Sequence, residues 1–243
     1  MTDAPVTPYE TMRFEPAVME EGGPVPGIAR FGRHWARLER SCGFTGVPLV
    51  KEAVEDALRR AVAGATAPLR VRLSFSSSGE PEVTTTPQPT HYPQGFADTP
   101  ALAIAYAGEG PWPQVAVVTE TIDESDPARR YKTTDRYLYE LGRPYAPAHG
   151  LEDVVFFNTR GELVEAAISN VYVGSARDLV TSPLSSGALP GVLREELLER
   201  GLVREGVLSE EDLRSAEVVL VSSSVRGLRR VRVAPGRVSL TAE

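Results

Sequence analysis

Lys132 is the residue of this chain whose type could do chemistry that its neighbours cannot. Of the 26 basic residues only Lys51 and Lys132 are lysine, and the other 24 are arginine. Arginine stays protonated near neutrality and forms no carbonyl imine, whereas a lysine amine with a lowered pKa can lose its proton and attack a carbonyl. Lys132 stands in Tyr131-Lys132-Thr133-Thr134-Asp135-Arg136, just after Arg129 and Arg130. Neighbouring cations and partial burial both favour the neutral, nucleophilic amine. Lys51 opens an amphipathic stretch that runs to Ala65 and reads as a solvated helix residue. The plainer reading of Lys132 is an exposed basic residue in a loop.

Four further segments could serve the same chemistry. In Ala188-Leu189-Pro190-Gly191-Val192-Leu193-Arg194 a turn of small residues leads into a helix, so free backbone N–H groups and the positive end of a helix dipole would face one spot that suits a phosphate. Proline there is also ordinary helix capping. Ser222-Ser223-Ser224-Val225-Arg226-Gly227 leaves an apolar strand, and its hydroxyls and amides could complete a phosphate cradle or form a plain serine-rich turn. In His34-Trp35-Ala36-Arg37-Leu38 helical spacing puts Trp35 and Leu38 on one face, leaving Arg37 off that stripe for an anion or a surface ion pair. Glu165 lies in the apolar stretch Leu163 to Val173, where a carboxylate needs a cationic or proton-bearing partner. A pyridinium N–H would serve, and so would a buried arginine. Together these parts fit pyridoxal phosphate: a lysine for the aldehyde, a carboxylate for the ring nitrogen, and amides, hydroxyls and an arginine for the phosphate.

The elements that must position these residues follow from periodicity and turn signals. A strand is expected around Tyr9 to Phe14, a turn at Glu21 to Gly27, helices from about Gly32 to Cys42 and from Lys51, and strands at Leu69 to Ser76 and Gln114 to Glu120. Gly79 to Pro100, rich in Pro and Thr, reads as turns with at most one short edge strand. The polar run Thr121 to Arg130 resembles an interdomain linker. A short helix follows Thr134. Then come strands at Asp153 to Asn158, Leu163 to Glu165 and Asn170 to Val173, with Thr159 to Glu162 as a hairpin turn. A helix from Pro190 or Gly191 to Arg200 ends at Gly201, a helix opens at Ser209-Glu210-Glu211-Asp212 with a capping-box pattern, and strands at Glu217 to Ser222 and Arg229 to Val233 complete the chain. The order lacks the regular strand-helix alternation of a doubly wound sheet, so a mixed α/β architecture of two domains is expected. Its parts are residues 1–121, a linker at 122–130, and residues 131–243.

Composition narrows the function classes. A length of 243 residues suits one large domain or two modest ones. With a net charge of −7 and no Lys/Arg block free of acidic neighbours, nucleic-acid binding is not expected. Cys42 is the only cysteine, and His34, His91 and His149 are scattered, so neither a disulfide, a metal site nor a Cys/His nucleophile pair is expected. No stretch approaches the roughly 20 apolar residues of a membrane span, and no secretory leader is evident, which reads as cytoplasmic.

Taken in order, Tyr9-Glu-Thr-Met-Arg13, His34-Trp-Ala-Arg37-Leu38, Lys132-Thr-Thr-Asp-Arg136, Glu165 to Asn170, Leu189-Pro-Gly-Val192 and Ser223-Ser-Val-Arg-Gly227 resemble the class IV aminotransferases, the fold type IV pyridoxal-phosphate enzymes. That family includes D-amino-acid and branched-chain aminotransferases and 4-amino-4-deoxychorismate lyase. The resemblance implies a small N-terminal α/β domain and a larger, β-rich pseudo-barrel domain that binds the cofactor. It implies Lys132 as the Schiff-base lysine, Glu165 at the pyridine nitrogen, and Arg37, the amides of Val192 and Leu193, and Ser223 and Ser224 at the phosphate. Tyr137 falls where many members place a tyrosine beside the ring hydroxyl. Arg72 would take a substrate carboxylate, with Thr11 near the reacting face. Lys-Thr-Thr-x-Arg, the Glu-Thr-Met-Arg start and the final Ser-x-Arg-Gly are most similar to the aminodeoxychorismate lyase branch, which implies conversion of aminodeoxychorismate to 4-aminobenzoate and pyruvate on the way to folate. Proton shuttling in a branched-chain or other aminotransferase is the alternative. Departures are Tyr131 for the usual His, Asp135 where Asn is frequent, Ser223 for Asn, and a chain that begins almost at the first strand. By analogy a homodimer is expected, with an aminodeoxychorismate synthase as a possible partner.

Overall fold

A computed structural model describes residues 5–16 and 24–241. By internal packing the chain divides into two units. Met1–Thr90, Tyr131–Asp135 and Ser224–Arg226 make the first; His91–Arg130, Arg136–Ser223 and Gly227–Glu243 make the second. The expected turn at Glu21 to Gly27 lies outside the described residues as far as Gly23; beyond it Gly27 turns at φ 85°.

In the first unit, β1 (Glu10–Phe14), α1 (Phe31–Thr45), α2 (Lys51–Val62), β2 (Leu69–Phe75) and β3 (Pro81–Pro87) form an antiparallel sheet, ordered β1-β2-β3, and two helices. The alternation Leu-Arg-Val-Arg-Leu-Ser-Phe in β2 buries Val71, Leu73 and Phe75. They join Met12, Phe14, Leu38, Val54 and Leu58 in one core. Each such side chain contributes about 1.5–3 kcal/mol on full burial. α1 ends at Gly46, whose φ of 74° lets its N–H return to the Cys42 carbonyl. β3 is a full seven-residue strand, paired with β2 from Phe75↔Pro81 to Leu69↔Pro87, where the sequence suggested mostly turns. Threonines favour the strand while prolines at both ends and polar side chains keep its free edge from recruiting another strand.

The second unit adds α3 (Pro100–Ala107), β4 (Gln114–Ile122), α4 (Tyr137–Ala148), β5 (Asp153–Asn158), β6 (Leu163–Ala166), β7 (Asn170–Gly174), β8 (Leu179–Thr181), α5 (Val192–Glu199), β9 (Arg204–Glu205), α6 (Glu210–Ser215), β10 (Val218–Ser223) and β11 (Gly227–Val238). Its eight strands lie in the order β6-β5-β4-β11-β10-β7-β8-β9. In a flat sheet β6 and β7 would be five spacings, about 24 Å, apart. The chain joins Ala166 to Asn170 in four Cα steps, at most about 15 Å. The sheet therefore curls until β6 and β7 approach, and the Ala166 N–H donates to the Ser169 carbonyl within the turn that joins them. Alternation makes this two-sided: Val155, Phe157, Val171, Val173, Val219 and Val221 fill the inside of the curl. Val154 and Phe156 meet Tyr139 of α4, and Tyr172 and Leu220 meet Leu193 and Leu197 of α5. The capping box forms at Ser209 and Asp212 as its sequence suggested.

Two expectations about organisation need correction. β4, placed at the end of a first domain of residues 1–121, lies within the large sheet, hydrogen-bonded in parallel to β5 and β11. Residues 122–130 belong to the second unit rather than linking two domains; they run from the end of β4 through a turn to a 3₁₀ helix at Pro127–Arg130 with Ala128 buried. No helix among the described residues is long and apolar enough to cross a membrane.

Candidate active site

In the first unit α1 carries a buried polar edge, His34, Arg37 and Ser41, beside its apolar edge, Phe31, Leu38 and Cys42. The polar edge meets Glu10 of β1. Arg37 donates from Nε to Glu10 Oε1 and from Nη2 to Oε2, both at 2.7 Å. His34 Nδ1 lies 2.7 Å from Glu10 Oε2, and its Nε2 lies 2.9 Å from Ser224 Oγ. Glu10 and His34 are each 1% exposed. Burial by itself would push the Glu10 carboxyl up, but the Arg37 charge and then His34 outweigh it and hold Glu10 well below the ordinary carboxylate range. Burial lowers the His34 imidazole below its ordinary value against the upward pull of Glu10.

Lys132 enters the same unit as an added strand. Tyr9 N–H donates to the Lys132 carbonyl at 3.0 Å, Pro8 and Thr133 form an antiparallel bridge, and Thr134 N–H donates to the Thr7 carbonyl at 2.9 Å. Ser41 Oγ accepts from Lys132 N–H at 3.1 Å and donates to the Arg37 carbonyl at 3.0 Å, tying this strand to α1. The Lys132 amine stands 4.5 Å from the centre of the Tyr9 ring, and the Arg72 guanidinium 4.1 Å from the same ring. Arg72 and Thr11 are directly opposed in the β1–β2 register. An amine and a guanidinium thus share one aromatic ring, with Thr11 at the register position opposite the guanidinium's residue.

In the second unit Glu165 on β6 is buried, and its partner is Arg136, whose Nη2 donates to Oε1 at 2.7 Å. Asn170 Nδ2 donates to Glu165 Oε2 and to the Leu189 carbonyl, each at 3.1 Å. One amide thereby joins the carboxylate to the turn that starts α5. At Gly191, the N-cap, a Cβ would overlap Asn170 Oδ1, so the close approach requires glycine even though φ is an ordinary −71°. No side chain caps α5. The amides of its first turn, including those of Val192 and Leu193, have no intrahelical acceptor. The Tyr139 hydroxyl is buried beside Glu165, and burial, reinforced by the Glu165 charge, pushes its phenol up.

The positions expected to do chemistry fall into these two groups. Lys132, Arg37, Arg72, Thr11 and Ser224 lie in the first unit; Glu165, Val192, Leu193, Ser223 and Tyr137 lie in the second. Arg37, read as lying off the buried stripe, is itself buried, and the anion it holds is Glu10. Ser223 ends β10 opposite Gly227. Tyr137, at the start of α4, is 69% exposed and makes no hydrogen bond or ring contact among the described residues. Glu10, Tyr9, Asn170 and Arg136 were missed as site residues. A charged residue inside the strand Glu-Thr-Met-Arg-Phe was the available signal for Glu10, and an amide five residues after Glu165 was the one for Asn170.

Fully paired carboxylates have no room for a further donor. A carboxylate accepts about four hydrogen bonds, and among the described contacts Glu165 accepts from Arg136 Nη2 and Asn170 Nδ2. The same unit holds an uncapped, glycine-led helix start that suits a phosphate, and the first unit holds a lysine amine of the kind that takes an aldehyde. A sequence profile of the class IV aminotransferases matches residues 7–234. A provisionally assigned aminodeoxychorismate lyase of Schizosaccharomyces pombe is 28% identical over 199 residues, 79% of each chain. Among solved structures, a provisionally assigned amino-acid aminotransferase of Mesorhizobium loti superposes with a TM-score of 0.78 at 29% identity, covering 94% of this chain and 100% of that one. A hypothetical aminotransferase of Mycobacterium tuberculosis in its PLP-bound form has a TM-score of 0.69 at 20% identity, covering 95% and 82%. The chain belongs to the class IV aminotransferase family and is a pyridoxal-phosphate-dependent enzyme.

Proposed function

We propose that this enzyme is a 4-amino-4-deoxychorismate lyase, releasing 4-aminobenzoate and pyruvate. The observation that carries the reading is the match to the Schizosaccharomyces pombe protein along 79% of both chains, supported by the Lys132-Thr-Thr-Asp-Arg136 run. When bound, the coenzyme supplies an electron sink for the carbon that bears the substrate amine. Lys132 is the base that takes the proton from that carbon. The ring carbon–oxygen bond then breaks, the enolpyruvyl group leaves with its bonding pair and is protonated to pyruvate, and the ring becomes aromatic without water or an oxidant. Glu165, which accepts from Arg136 and Asn170, would also accept the pyridine N–H. Arg72, beside the Tyr9 ring that also faces the Lys132 amine, binds a substrate carboxylate, with Thr11 opposite it. Arg37, Ser223, Ser224 and the amides of Val192 and Leu193 take the phosphate. The assembly is a homodimer in the cytoplasm, and an aminodeoxychorismate synthase supplies the substrate.

The likeness to the Mesorhizobium loti aminotransferase favours a second reading: an aminotransferase, in which the same Lys132 would shuttle the proton that the bound coenzyme's amino-transfer chemistry requires. The holoenzyme is incubated with aminodeoxychorismate and, separately, with a panel of amino acids. Fluorescent aminobenzoate at a rate that Lys132→Ala lowers by about 10³-fold or more supports the lyase. Accumulation of pyridoxamine phosphate from an amino acid, with no aminobenzoate, overturns it in favour of transamination.

A further inference from the structure

The buried chain from Glu10 through His34 to Ser224 has a direction. Glu10 is held as a carboxylate by two hydrogen bonds from Arg37, so it only accepts. At 2.7 Å from Glu10 Oε2, His34 Nδ1 must therefore carry a proton, because an imidazole lone pair facing a carboxylate oxygen is repelled. With His34 neutral, Nε2 is then an acceptor. The Ser224 hydroxyl, 2.9 Å away, must spend its one proton on that nitrogen. Its oxygen would then present only lone pairs to anything else. The other acceptor within reach, the Thr11 carbonyl, is distant at 3.5 Å and would leave Nε2 buried without a partner.

We propose that Glu10 and His34 are a positioning pair that sets which way Ser224 donates, and that a dianionic phosphate is accepted there only when His34 holds protons on both ring nitrogens. This rests on the assignment of Ser224 to the coenzyme phosphate. With both nitrogens protonated, Nε2–H donates to Ser224 Oγ and the hydroxyl proton turns to the phosphate. The charges facing His34 fit the exchange: Glu10 from β1 favours the second proton, Arg37 from α1 and Arg30 at its N-cap oppose it, and burial opposes it most. A dianion supplies the negative charge that is missing. Phosphate binding thus takes up one proton, so between the pH at which His34 titrates in the free protein and the higher pH at which it titrates in the bound one, affinity falls about tenfold per pH unit.

His91 and His149 are exposed, so the His91→Gln/His149→Gln double variant leaves His34 as the only histidine. The full-length double variant, freed of coenzyme and labelled with ¹⁵N-histidine, is titrated near pH 7.5 with methyl phosphate, a monoester that cannot form an imine with Lys132. The expected spectrum is that of a neutral Nδ1–H ring before addition and of an imidazolium at saturation. A parallel titration of Ser224→Ala is expected to bind about tenfold more weakly. If His34 stays neutral at saturation while Ser224→Ala still weakens binding, the positioning role is overturned and the phosphate assignment stands. If His34 stays neutral and Ser224→Ala binds as tightly as its parent, both fail together.

Discussion

Two buried glutamates, each 2.7 Å from an arginine, lie in different units and are employed differently. Glu10 accepts two bonds from Arg37, one from His34 and a longer one, 3.3 Å, from the Thr11 N–H, which fills its acceptor capacity. Glu165 accepts one from Arg136 and one from Asn170, and keeps capacity for another donor. A satisfied carboxylate organises its own unit, whereas a buried one with acceptor capacity to spare can take a further donor. An arginine-paired carboxylate is thus present in each unit, closed to further donors in one and, in the reading proposed above, open to the coenzyme in the other.

Substituting each glutamate tests that contrast. Glu10→Gln removes the charge that compensates Arg37, and breaking such a buried pair is expected to cost about 3–5 kcal/mol in denaturant unfolding. Glu165→Gln is expected to lower turnover by about a hundredfold or more, the scale of losing a preorganised electrostatic partner, with a smaller loss of stability than Glu10→Gln. Equal destabilisation with unchanged turnover would erase the distinction. Gly191→Ala follows in size: its methyl must displace Asn170, which costs about 1–3 kcal/mol by overpacking. Coenzyme affinity measured by absorbance should drop with it, because the same amide aligns Glu165 with the α5 turn. The mildest test is acid. Glu10 has a depressed pKa when folded, so its contribution is complete above the unfolded value near 4.5 and is lost as pH falls below it. Stability of the native chain should decline below that pH, and the decline should shrink in Glu10→Gln.

The sequence was most legible where a signal is local. The two helices of the first unit, β5, β7, β10 and the capping box at Ser209 follow from periodicity and caps. α3 was passed over because its residues are apolar nearly all round, so no polar face marks it, although Thr99 and Pro100 begin it as an N-cap and first-turn proline should. The place of β4 was illegible for another reason: its partners, β5 and β11, lie far along the chain, and a strand does not state which sheet it will join. At the site, the need of Glu165 for a partner was legible and the identity of that partner was not, since 24 arginines could have answered. Arg136 was settled by the turn from the Lys132 strand into α4. Glu10 was overlooked because its two partners come from α1, more than twenty residues away.

The central claim is that the amine of Lys132 captures the coenzyme aldehyde. The holoenzyme is reduced with borohydride, digested and analysed by mass spectrometry. A phosphopyridoxyl group on Lys132, absent when the coenzyme is withheld, is the result expected; the same label on Lys51, or a protein that binds no coenzyme, would contradict the account.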